Sequence, residues 1–314
     1  MADLCEKPRV IAIGGPTATG KTALSVSLAR QFDGEIISAD SMQIYQGLNI
    51  GTAKAGEEER QGVPHHLLDI LPPETPYSVA DFMDAAVPLV EQLSARGKLP
   101  IVAGGTGLYL TSLLNGIRFA PEETDPALRA ALQNRAETEG PAVVYVELQA
   151  IDPVYAARVH PNNLPRVIRA LELYHTTGRK MSEEQADSRP AEKPYRSLSL
   201  CLTCRDRALL YRRIDARVDG MVAAGVLREA EQVWQHREQW PTAAQAIGYK
   251  EFFPYFEGQM ALNDCVNRLK QSTRRYAKRQ LTWFRRQTNA VWLYLEDGDV
   301  PQRAAELVER FLQS

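Results

Sequence analysis

Residues 9–22 read Arg-Val-Ile-Ala-Ile-Gly-Gly-Pro-Thr-Ala-Thr-Gly-Lys-Thr. Val10–Ile13 is an apolar run of the length of a buried strand, and Ala23–Phe32 carries the spacing of an amphipathic helix. Between them lies Gly15-x4-Gly20-Lys21-Thr22, the pattern of a phosphate-binding P-loop in the strand–loop–helix setting that the pattern requires. Backbone N–H groups of Gly15, Pro16, Thr17, Ala18, Thr19, Gly20, Lys21 and Thr22 (Pro16 excepted, which has none) converge with a helix N-terminus. The helix dipole there favours an anion. Lys21 adds a positive charge for a phosphate oxygen, and the Thr22 hydroxyl is a candidate ligand for Mg²⁺. The loop is therefore expected to hold phosphate or diphosphate.

Working outward, Glu35–Asp40 and Leu99–Ala103 read as two more strands, with a helix between them over Val79–Ala95, capped by Ser78 and ended by Gly97. Alternating strands and helices predict an α/β fold, a parallel sheet flanked by helices. Pro64–Asp69, with His65-His66, reads as irregular connection. After about Phe119 strand signals stop. Asp125-Pro126, Gly140-Pro141, Asp152-Pro153 and His160-Pro161 look like helix starts. Residues 120–194 are accordingly expected to form an inserted helical domain, ending in a polar linker, Ser182–Pro194. Arg196–Cys204 should return the chain to the sheet, so that 1–119 and 195–314 form one core. Helices are expected over Asp206–Ala224, Gly225–Arg237, from near Asn263, and over Gln302–Leu312, with a last strand at Val291–Tyr294.

The chain of 314 residues has 37 Lys and Arg against 39 Asp and Glu, and the formal net charge of −2 hides an uneven distribution. Residues 265–287 hold eight basic side chains and no acid. At about 100° per residue, Arg268, Arg274, Arg275, Lys278, Arg279, Arg285 and Arg286 share one helix face, opposite Val266, Leu269, Tyr276, Trp283 and Phe284. Solvated faces ordinarily mix signs, so an unmixed stripe points to a polyanion, nucleic acid first. Four cysteines, Cys5, Cys201, Cys204 and Cys265, are too scattered for a disulfide framework. No apolar run of membrane-spanning length is present, and a cytoplasmic location with no membrane partner is the expectation.

Two further features belong to the chemistry. Asp40 ends a strand next in sequence to the P-loop unit, where open α/β sheets bind ligands. It could hold a metal, act as a general base, or only cap the following turn. Gly104-Gly105-Thr106-Gly107 is a second glycine loop after a strand, fit for close backbone approach to a ligand. Arg213 and Arg217, one helical turn apart, could equally face a diphosphate or pair with surface acids. These features alone leave a P-loop kinase for a small molecule or nucleotide as the alternative reading.

Gly15–Thr22, Asp-Ser-Met-Gln-Ile-Tyr (40–45), Gly-Thr-Ala-Lys (51–54), Pro-His-His-Leu-Leu-Asp (64–69) and Gly-Gly-Thr-Gly-Leu-Tyr (104–109) occur in that order. His-Pro-Asn-Asn (160–163), Arg166-x2-Arg169, Gln245-x-Ile-Gly-Tyr-Lys-Glu and Tyr276-Ala-Lys-Arg-Gln-Leu-Thr-Trp-Phe-Arg follow. The set resembles the bacterial tRNA dimethylallyltransferases, or tRNA isopentenyltransferases, over almost the whole chain. The resemblance implies transfer of a dimethylallyl group from dimethylallyl diphosphate to N6 of the adenosine at position 37, beside the anticodon of tRNAs reading codons that begin with U. It implies a P-loop core with an inserted helical domain, Mg²⁺ as cofactor, and a monomer binding the tRNA anticodon stem-loop. By the same resemblance Asp40 is the base, with Thr106 and Lys21 beside it in catalysis. Asp40, Ser41, Met42, Gln43, Thr106, Arg129, Arg166, Val167, Gln245, Gly248, Arg275 and Arg279 are then expected to contact tRNA.

Overall fold

The computed structural model describes residues 7–119, 125–287 and 289–314. Cys5 and the expected start of the helical insertion at 120 lie outside the described residues. The chain divides into two compact units, Met1–Leu114 with Lys193–Ser314, and Asn115–Glu192.

The first unit is built on a six-stranded parallel sheet. Its strands are β1 (Arg9–Gly14), β2 (Gly34–Ser38), β3 (His65–His66), β4 (Leu99–Ala103), β5 (Arg196–Thr203) and β6 (Ala290–Tyr294). They lie side by side as β3-β2-β4-β1-β5-β6. β1 is central and apolar on both faces, as a parallel strand covered on both sides must be. Its residues alternate: Ile11 and Ile13 join one core with Leu24, Val26 and Leu28 of the Lys21–Gln31 helix and with Val300, Ala304 and Val308 of the last helix. Val10 and Ala12 join the other core, with Phe82, Ala86 and Val90, Val226 and Ala230, and Leu269 and Phe284. That second face is covered by the helices Val79–Ala95, Val226–Gln235 and Leu262–Phe284.

The Val79–Ala95 helix starts where a capping box dictates: the Asp81 amide donates to the Ser78 hydroxyl at 3.3 Å, and the Ser78 amide donates to the Asp81 carboxylate at 2.7 Å. His65-His66 is not loop but a short edge strand beside β2. What holds it is a buried carboxylate: Glu35 lies 2.7 Å from His66 Nε2 and accepts from the Arg96 guanidinium at 3.0 Å. Hydrogen bonds from His66 and Arg96 outweigh the upward push of burial and hold the Glu35 carboxyl below its ordinary range.

The second unit is helical: Pro126–Thr138, Pro141–Ile151, Pro153–Ala156, Leu164–Thr177 and Met181–Asp187. The expected linker from Ser182 therefore begins inside a helix, because the Asp152 carboxylate accepts from the Ser182 amide at 2.8 Å and fixes it there. Leu132, Val144, Leu148, Val167 and Leu171 form the core of the unit. Glu172, wholly buried on the Leu164–Thr177 helix, is paired with Arg129 at 2.7 Å and Arg169 at 3.3 Å. Among the described residues no helix is long and apolar enough to cross a membrane.

Candidate active site

All strands of the sheet run the same way, so the loops after β1, β2 and β4 emerge at one edge. They border a cavity of about 750 Å³ within the first unit. That volume is in the range of small-molecule sites.

The loop after β1 is wound tightly. Gly15 has φ +131°, and a Cβ there would collide with the Leu202 carbonyl of β5; Gly20 caps the following helix at φ +88°. The Thr19 hydroxyl donates to the Pro16 carbonyl at 2.9 Å, and Lys21 Nζ donates to the same oxygen at 2.8 Å. Thr17, Ala18, Gly20, Lys21 and Thr22 line the cavity. Gly15, Pro16 and Thr19 do not line it; the Thr19 side chain is buried and holds the loop's shape.

Asp40 lines the same cavity. Its Oδ1 accepts from the Met42 and Gln43 amides at 3.0 and 3.4 Å, so the turn-capping role is real. Oδ2 is left toward the second glycine loop, within 3.9 Å of where a Cβ on Gly105 would stand. That loop meets the end of β2 backbone to backbone. A side chain on Gly104 would occupy the Ala39 carbonyl, and the Thr106 amide donates to that same oxygen at 3.2 Å. Thr106 Oγ1 accepts from the Ser41 amide at 3.1 Å and lies near the Tyr276 phenol. Thr106 therefore stands behind the cavity wall, next to Ser41, which with Met42 and Gln43 lines it.

The Arg207–Ala223 helix brings two arginines to the phosphate loop. Arg213 Nε donates to the Ala18 carbonyl at 2.7 Å, and Arg217 borders the cavity close enough to Lys21 and Asp40 to feel both charges. Burial, then the Arg217 charge, pull Lys21 down to about 8, against an upward pull from Asp40. Burial likewise lowers Arg217, which Asp40 opposes. Lys21 and Arg217 crowd one another here, and Asp40 and Glu59 offset burial and that repulsion only in part. Arg217 was even-handed in the sequence; its position one turn after Arg213 was the available signal.

Gln245 and Gly248 line a further part of the cavity wall. Gly248 lies against Gly51 and has φ +113°; a Cβ would stand 2.8 Å from the Gly51 carbonyl oxygen. Buried Glu229 locks this wall, accepting from the Ile50 amide at 2.7 Å and the Tyr249 phenol at 2.8 Å.

The Leu262–Phe284 helix buries Cys265, Leu269, Thr273, Ala277, Gln280 and Phe284, an i, i+4 and i, i+3 stripe, and turns its basic residues outward. Arg279 reaches the cavity and Arg275 is exposed outside it. Arg274 departs from the expected free stripe, because Asp215 lies 3.6 Å away and the Tyr211 ring lies under its guanidinium. Lys270 is likewise paired with Asp219 at 2.6 Å. Gln280, unremarked in the sequence because it is uncharged within a basic run, sits between the two glycine loops.

Arg129, Arg166 and Val167 belong to the second unit. Arg166 is exposed. Val167 is a correction: its side chain is wholly buried in the helical core, on the inward face of the Leu164–Thr177 helix, and has no surface to offer RNA.

The IPP transferase family matches residues 43–287, and the isopentenyl transferase family residues 8–72. A tRNA dimethylallyltransferase of Geobacillus thermodenitrificans is 46% identical over 97% of this chain and 95% of its own. The full-length tRNA isopentenylpyrophosphate transferase of Bacillus halodurans has a similar crystal structure, with TM-score 0.72, 40% identity, and 98% and 97% of the two chains covered. A eukaryotic dimethylallyltransferase seen acting on tRNA superposes with TM-score 0.83 at 34% identity, over 98% of this chain and 80% of that one.

Proposed function

The chain belongs to the IPP transferase family, and from that premise we propose that it moves a dimethylallyl group from dimethylallyl diphosphate to N6 of the adenosine beside a tRNA anticodon. The observation that carries the reading is the shared cavity. Asp40, whose Oδ2 has no backbone partner among the described residues, lines one cavity of about 750 Å³ with Thr17, Ala18, Gly20, Lys21 and Thr22 of the phosphate loop.

The chemistry follows from charge. As the allylic C–O bond breaks, negative charge grows on diphosphate. The loop amides other than that of Thr17, which donates to Gln280, would meet that charge together with the Lys21 and Arg217 cations. The exocyclic amine of adenine is a poor nucleophile because its lone pair is conjugated. It becomes competent as its proton passes to Asp40 while the N–C bond forms. Ser41, Met42 and Gln43, with Thr106 bracing Ser41 from behind, then hold the base turned out of the anticodon stack. Arg275, Arg279, Gln245 and Gly248 meet the RNA, as do Arg129 and Arg166 of the helical unit.

The donors fit Mg²⁺. Among the described residues no group of three or more His, Cys, Asp or Glu could hold a metal. The Thr22 hydroxyl, which lines the cavity, would supply one oxygen ligand, with water and diphosphate oxygens completing the shell that Mg²⁺ prefers. When bound, the ion would neutralise charge on the leaving group.

The test is direct. Protein incubated with labelled dimethylallyl diphosphate should label tRNA and release diphosphate. Brisk turnover of labelled ATP without label transfer would make the kinase reading the right one.

A further inference from the structure

Gln280 is buried on the inner face of the helix whose outer face carries Arg275 and Arg279. Its amide spans the two glycine loops. Oε1 accepts from the Thr17 amide at 2.9 Å, and Nε2 donates to the Gly105 carbonyl at 2.9 Å. The orientation is unambiguous, because an amide N–H can only donate and a carbonyl can only accept. The Tyr276 phenol, one turn back on the same helix, lies close enough to Gln280 and Thr106 for both to act on its ionisation. A Cβ on Gly105 would collide with the Gln280 amide nitrogen, and Asp40 Oδ2 lies 3.9 Å from the same position.

From this we infer that Gln280 is a positioning residue. It sets the separation between the phosphate loop, which holds the electrophile, and the Gly105 loop, against which the proton acceptor Asp40 rests. The inference rests on the transferase reading above. In-line displacement is sensitive to that separation, because reacting atoms must meet at near-contact distance and a misplacement of about 1 Å can cost roughly 10²-fold in rate. A planar amide bonded at both ends is a rigid spacer; a hydrocarbon of similar size is not. The same helix meets RNA on its outer face, so tRNA docking and loop spacing share one rigid element.

Three variants of the full chain, assayed with labelled dimethylallyl diphosphate and tRNA, test the idea. Gln280→Leu keeps bulk and removes both bonds; kcat should fall roughly 10²-fold while KM for either substrate shifts only a few-fold. Gly105→Ala should act alike by displacing the amide, and the two changes together should cost little more than either alone. Gln280→Glu gives the diagnostic readout. Its ionised form presents an oxygen to the Gly105 carbonyl and repels it, whereas the protonated acid reproduces the amide's donor. Burial raises such an acid's pKa, so the ratio of variant to parent activity should climb as pH is lowered from about 8 to about 6. If Gln280 only fills space, Gln280→Leu retains near-parental kcat, or loses activity in step with its melting temperature, and the Gln280→Glu ratio stays flat with pH. Either result overturns the inference. A parent protein that transfers no label to tRNA would instead overturn the transferase reading itself.

Discussion

Asp40→Asn isolates the proton acceptor with little structural disturbance, because the amide oxygen can still take the Met42 and Gln43 N–H bonds that Oδ1 accepts. We expect kcat to fall by roughly 10²–10⁴ with tRNA affinity little changed; near-normal turnover would remove Asp40 from that role. Lys21 makes a second residue-scale prediction, about pH. Its ammonium sits beside Arg217 with a pKa of about 8, below the ordinary lysine value. A bound diphosphate restores the missing negative charge and favours the protonated form, so binding takes up a proton above that pH. Diphosphate affinity measured by calorimetry should therefore weaken as pH rises through about 8, and Lys21→Met should lose most of that dependence. The linkage to stability has the opposite sign to that of a paired lysine. Folding imposes the cost of a crowded ammonium below about 8. The cost fades as pH rises toward the unfolded value of about 10.4. The unliganded Lys21→Met variant should accordingly melt higher than the parent at neutral pH and converge with it near pH 10. A variant that melts lower at neutral pH would show that the bond from Lys21 to Pro16 outweighs the crowding.

At the scale of elements, the Leu262–Phe284 helix separates two kinds of arginine. Arg275 and Arg279 have no acidic partner among the described residues, whereas Arg274 is paired with Asp215. Converting Arg275 and Arg279 together to Gln should weaken tRNA binding and flatten its salt dependence by about 0.7–0.9 per lost phosphate contact. Arg274→Gln should instead change thermal stability by less than about 1 kcal/mol and leave the slope alone, as partly exposed ion pairs do. A salt series that separates neither variant from the parent would discard this helix as an RNA surface. The same element shows what a sequence can disclose. Its buried stripe was legible because Leu269 and Phe284 recur at helical spacing. Thr273 and Gln280 were not, because polar residues on an apolar face carry no periodic signal. The strands at 10–13 and 99–103 were legible as apolar runs, and the Val79–Ala95 helix from its Ser78 cap and the Gly97 that ends it. β3 was not: two histidines are too short and too polar to read as a strand, and Glu35, which anchors them, lies thirty residues away. Nor could periodicity order the sheet. That β4 lies between β2 and β1, and so brings Gly104 against Ala39, depends on pairing that single strands do not encode.

For the whole molecule, the division of cores assigns different work to the two units. Every residue proposed here to hold diphosphate, from Thr17 to Arg217, lies in the unit built on the sheet. The helical unit has a core of its own, around Leu132, Val144, Leu148 and Leu171. Its charged centre is satisfied from within, since Glu172 pairs with Arg129 and Arg169. A defect confined to that core should therefore spare diphosphate and impair RNA. Leu171 is wholly buried, and Leu171→Ala leaves a cavity whose cost is about 2–5 kcal/mol. Calorimetric melting of the variant should show a transition displaced to lower temperature for the helical unit, with the sheet unit's transition in place. Below the first transition, diphosphate affinity should match the parent. Between the two transitions it should persist while tRNA affinity is lost, because the side chains of Arg129 and Arg166 no longer have a folded helix to present them. One merged transition, with diphosphate binding lost in step, would mean that the two cores melt as a single cooperative body and that the site depends on both.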